Sequence, residues 1–128
     1  MRTAAYLVVF VAYMAAGCAS AGQETASSDR DRITSEQLAR VPADNAYEAI
    51  QQLQPHWLDS RGPTSVTNSD PATAVVFMDG IRAGGLEYLK SVPLTRLSEI
   101  RFLSSGVASA RFGMGLPRGA IELISKGR

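Results

Sequence analysis

Apolar residues change their spacing repeatedly along this chain, and each spacing predicts a different element. Residues 4–14 form an almost unbroken apolar run, and residues 19–31 carry no apolar period at all. Thr34 with Gln37, and Asn45 with Glu48, have the spacing of helix-capping pairs, so two helix starts are expected within a dozen residues. In the second helix Ala46, Ile50 and Leu53 recur on one face until Pro55 disfavours the α conformation at Gln54. Trp57 and Leu58 are expected to close over the core. Residues 61–71, rich in Gly, Pro, Ser, Thr and Asn, are expected to form a loop.

Residues 74–78 are continuously apolar around Val75, Val76 and Phe77, which predicts a strand covered on both faces. Asp79 and Gly80 follow with the chemistry of a two-residue hairpin turn that returns through Ile81 and Arg82. After Gly84 and Gly85, Leu86 and Leu89 share a face of a short helix, and Pro93 suits the first position of a turn carrying Leu94 and Leu97. Residues 99–104 alternate, with Ile100 and Phe102 on one face and Arg101 on the other. A helix is expected over 106–112, with Phe112 packed beneath the sheet. Gly113, Gly115 and Gly119 then punctuate a turn into a last strand at 120–126, where Ile121 and Leu123 alternate with Glu122 and Ile124. The sum is an α+β fold: a small two-layer domain, a short mixed sheet with helices packed on it.

The amino-terminal pattern changes the picture from fold to location. Arg2, the apolar run and Ala15-Ala16-Gly17 have the order of an export signal, and Cys18, the only cysteine of the chain, stands immediately after it. Residues 4–17 are 14 in number, short of the roughly 20 that a membrane-spanning helix takes. The expected organisation is therefore a signal peptide at 1–17, a lipidated cysteine and flexible tether at 18–32, and a domain at 33–128. The residues ending at Cys18 resemble the lipobox of bacterial lipoproteins, with Ala15 where Leu is commonest. That resemblance implies acylation of Cys18 and a stable hold on lipid, since two or more chains anchor firmly where one does not. Ala19 resembles the outer-membrane sorting signal, which implies an outer-membrane, periplasm-facing protein.

Composition then narrows the chemistry. Thirteen basic residues against twelve acidic ones give a net charge of +1, and the basic residues are scattered, so no nucleic-acid partner is expected. With Cys18 committed to lipid, the domain is expected to depend on packing and not on disulfides. His56 is the single histidine, without the companions that a triad or a zinc site needs. Gly113, Gly115 and Gly119 have the wrong interval and the wrong context for a dinucleotide fingerprint, and no serine sits in a nucleophile elbow. Asp79 is better accounted for as a turn former than as a catalytic carboxylate. Arg101 and Glu122 are expected to pair across strands. No catalytic residue, metal or cofactor is expected.

Three pieces of the chain carry a wider resemblance. They are Val76-Phe77-Met78-Asp79-Gly80-Ile81-Arg82; Ser91-Val92-Pro93 with Leu97-Ser98-Glu99-Ile100-Arg101; and Ala110-Arg111-Phe112-Gly113 through Arg118-Gly119-Ala120-Ile121-Glu122-Leu123-Ile124-Ser125-Lys126. In order and spacing they resemble the plug domain of TonB-dependent outer-membrane receptors, and residues 33–53 resemble its opening segment. Receptors continue into a membrane barrel and begin with a TonB-contacting box; this sequence stops at Arg128, and residues 23–28 lack that box. The resemblance thus implies a plug-like domain at 33–128 without transport activity of its own. It implies a non-enzymatic binding module, held by outer-membrane lipid through Cys18 and docking on an envelope, transport or barrel protein. Arg118, at an exposed turn where receptors usually have a second glycine, is the candidate partner contact. A small periplasmic enzyme and a structural lipoprotein without a ligand are the alternatives left open.

Overall fold

Val76 and Phe77 are adjacent, so in a strand their side chains leave on opposite sides, and in the computed structural model both are buried. The structure describes residues 29–65 and 68–127. The strand holding this pair, β4 (Val75–Met78), is one of five in a mixed sheet whose others are β1 (Arg32–Ile33), β5 (Ile81–Gly84), β6 (Leu97–Leu103) and β7 (Ala120–Ser125). Their spatial order is β1-β6-β7-β4-β5. Only β4 and β7 run parallel. The α+β architecture expected from the pattern is therefore present.

One face of the sheet carries most of the helical residues. Helices α1 (Ser35–Arg40) and α2 (Ala46–Leu53) lie there, with 3-10 turns at Pro55–Trp57, Leu86–Ser91 and Leu94–Arg96. Both helix starts use the expected caps. Thr34 and Gln37 close a reciprocal capping box, each side chain accepting from the other's backbone N–H. Asn45 accepts from the Glu48 N–H at 3.0 Å, but the Glu48 carboxylate reaches one residue further back, to the Asp44 N–H at 3.1 Å. Ala46, Ala49 and Ile50 bury the inner face of α2, and Gln54 leaves the helical conformation ahead of Pro55. Trp57 closes this core, stacked on Phe102 with centroids 5.7 Å apart. Leu89, Leu97, Ile100, Ile121 and Leu123 complete it.

The opposite face has a smaller apolar patch. Helix α3 (Ser105–Phe112) and Leu116 of the following turn cover Phe77 and Ala120, with Ala108 buried between them. Phe112 stacks on Phe77, centroids 3.9 Å apart and planes 11° from parallel. It is only half-buried, so it caps this patch from its edge.

Two elements differ from expectation. Where a loop is expected over 61–71, the described residues form strands: β2 (Arg61–Ser65) and β3 (Asn68–Ala72) pair antiparallel as a separate two-stranded sheet. Pro63 stands opposite Pro71, neither has an N–H to give, and the register shifts on both sides of that pair. Strand β1, two residues long, pairs Arg32 with Arg101 and Ile33 with Ile100. It is too short to produce a period.

Candidate functional site

The hairpin at Asp79 and Gly80 is the first place where a sequence motif meets a geometric demand. Both residues have positive φ, 50° and 83°, as a tight β4–β5 connection needs. Asp79 does more than turn the chain. Its carboxylate accepts from the Ser125 N–H at 2.9 Å and from the Ser125 hydroxyl at 2.8 Å, which fastens the end of β7 to the hairpin. Nothing in a single sequence connects residues 46 positions apart, so turn chemistry alone had to stand for both roles. Beyond the turn, β5 pairs with β4 and, among the described residues, with no other strand. Ile81 at its start is 74% exposed. Such an edge can take up an added strand.

The second motif is the glycine turn. Gly113, Gly115 and Gly119 all have positive φ. Gly119 has a steric reason as well: a Cβ there would collide with the Leu103 carbonyl where the turn crosses the end of β6. Between them Met114 is 97% exposed. Arg118, expected at an exposed turn, is half-buried instead. Its guanidinium donates to the Asp59 carbonyl, and its Nε is buried with no protein partner. The fold brings the segment after Pro55–Trp57 beside this turn, and a long arginine laid across that junction loses its exposure.

The charged residues near the glycine turn are arranged differently from expectation. Arg101 and Glu122 do stand opposite each other in the β6–β7 register. Their ionic partners lie elsewhere. Arg111 of α3 binds Glu122 through both terminal nitrogens, at 2.9 and 2.8 Å, and Arg101 binds Glu99 on its own strand. Glu99 also pairs with Arg32 of β1 at 3.0 Å. The fork of a guanidinium fits a carboxylate with two parallel bonds, and Arg111 reaches Glu122 in this way from α3, which packs over the sheet, while Arg101 is held by Glu99. Glu122 is the one polar residue buried in the described core. The hydrogen bond to Glu99 raises the Arg101 pKa above its ordinary value, against the opposing effect of desolvation.

Beside these charges is an open groove of about 250 Å³ between β1, β6 and the start of α3, with Arg32, Arg101, Leu103 and Val107 among its lining residues. His56 is exposed and meets Trp57 edge-on, with centroids 6.2 Å apart. Among the described residues no group of three His, Cys, Asp or Glu side chains comes together, and no helix is long and apolar enough to cross a membrane. Cys18, the signal segment and all but the last residues of the tether lie outside the described residues. A scan against protein-family models gives no match, and a comparison with curated proteins gives none either.

Proposed function

We propose that this chain is a non-enzymatic, lipid-anchored, plug-like binding module that sits at the periplasmic face of the outer membrane and docks on an envelope or transport component. One observation carries the reading. The three pieces that resemble a receptor plug fall on β4–β5, on β6 and on α3–β7, and those strands are neighbours in one sheet in the order β6-β7-β4-β5. The resemblance therefore belongs to one connected unit and not to scattered fragments. The lipobox-like residues before Cys18 supply the anchor, and the unshared edge of β5 with exposed Ile81 supplies a surface on which a partner strand can add.

The test is mild crosslinking in native membranes followed by purification through this chain. The expected product is a reproducible outer-membrane barrel or transport protein, reduced when Ile81→Asp is substituted on the β5 edge. Ile81 is too exposed for that change to unfold the domain. Recovery of no reproducible envelope partner from the wild-type chain would end the binding-module reading.

A further inference from the structure

The two edges of the sheet differ in what they adjoin. Strand β1 is where the chain enters the domain from the Cys18 side, with thirteen residues between Cys18 and Arg32. The β5 edge lies four strand spacings from β1, about 19 Å across the sheet. If Cys18 is held in lipid, β1 is the edge nearer to it along the chain.

The surface beside β1 has the make-up of a lipid-facing one. On the face that α3 only partly covers, Arg32, Arg101 and Arg111 surround Glu99 and Glu122, and the exposure is asymmetric. The three arginine side chains keep 36–49% of their surface, while Glu99 keeps 20% and Glu122 3%. The guanidinium groups thus form the outer layer and the carboxylates the inner one. Val107, 54% exposed at the rim of the same groove, adds an apolar contact. Guanidinium groups beside an exposed apolar side chain suit the boundary between anionic headgroups and acyl chains.

We infer that the β1–β6 side of the domain, with Arg32, Arg101 and Val107, lies against the anionic lipid surface, so that the sheet stands edge-on and the β5 edge points away from it. The inference rests on the lipid-anchor reading of Cys18. It adds an orientation that anchoring by itself does not impose.

The full chain is extracted from membranes and reconstituted in vesicles of phosphatidylglycerol and phosphatidylcholine containing a headgroup-level nitroxide lipid. With Cys18 acylated, Val107→Cys and Ile81→Cys each provide one free thiol for a fluorophore. The Val107→Cys label is expected to be quenched at least about twofold more than the Ile81→Cys label, given their separation across the sheet. Equal quenching, or stronger quenching at Ile81→Cys, would overturn the orientation. Detergent partitioning of the same preparations reads the anchor separately. Protein that enters the detergent phase yet quenches equally has lost the orientation alone, whereas protein that stays in the aqueous phase has lost the anchor and the orientation with it.

Discussion

The two faces of the central sheet are built on different principles. The face under α1 and α2 is a continuous apolar core in which Ile50, Trp57, Leu89, Ile100, Ile121 and Leu123 are fully buried. The other face has a small patch around Phe77, and beside it stand the paired charges Arg32, Glu99, Arg101, and Glu122 beneath Arg111. Apolar burial stabilises a fold without specifying a partner, whereas ordered charges on an incompletely covered face stabilise it little and leave polar groups available for recognition. The first face accounts for why the chain folds. The second is where its surface chemistry is concentrated.

The largest expected effect follows from emptying the first face and not the second. Trp57→Ala should cost about 3 to 5 kcal/mol, the range for removing a fully buried large aromatic residue, and a domain of this size can lose its fold at that cost. Phe112→Ala, on the second face, should cost about 2 kcal/mol, because it removes a partly exposed ring and one stacking contact. Chemical denaturation of both variants compares the faces directly. Equal losses would show that the second face is as much a core as the first.

Next in size is Gly119→Ala. A methyl group directed at the Leu103 carbonyl, at a positive φ, should cost about 3 kcal/mol from overpacking and backbone strain together. Gly113→Ala is the control, since its φ is also positive but no atom lies near its absent Cβ. It should cost about 1 kcal/mol. Thermal midpoints that fall equally for the two would remove the close approach of the glycine turn to β6.

The ion pair gives a smaller and asymmetric effect. Arg111→Ala leaves the Glu122 carboxylate buried without its partner and should cost about 2 kcal/mol, less than for a wholly buried pair because Arg111 is half-exposed. Glu122→Gln leaves the guanidinium free to turn to water and should cost about 1 kcal/mol. Denaturation midpoints in the reverse order would mean that the pair is held by something other than the burial of Glu122.

Local chemistry made parts of this architecture legible in the sequence. Val75-Val76-Phe77 identifies a strand buried on both sides, Asp79-Gly80 identifies its turn, and the alternation around Ile121 and Leu123 identifies β7, because each signal lies within a few residues of its cause. The β2–β3 pair gave no such signal: its residues are those of a turn-rich loop, and two prolines interrupt its ladder. The partners of charged side chains were the least legible. Arg101 is the register neighbour of Glu122, but Arg111 binds it, and that choice depends on how α3 crosses the sheet. Arg118 sits in a turn, yet Asp59 holds it because a distant segment packs alongside. Asp79 was legible as a turn residue and illegible as the clasp on Ser125.

The proposed anchor bears most directly on the proposed function, since a binding module fixed in the membrane and a diffusing one meet different partners. The decisive measurement is the intact mass of the mature protein extracted from membranes. The account predicts a chain beginning at Cys18 and carrying a diacylglyceryl group, with the mass returning to that of an unlipidated or uncleaved chain in Cys18→Ser. A mature chain beginning at any other residue, or beginning at Cys18 with no added lipid mass, would contradict it.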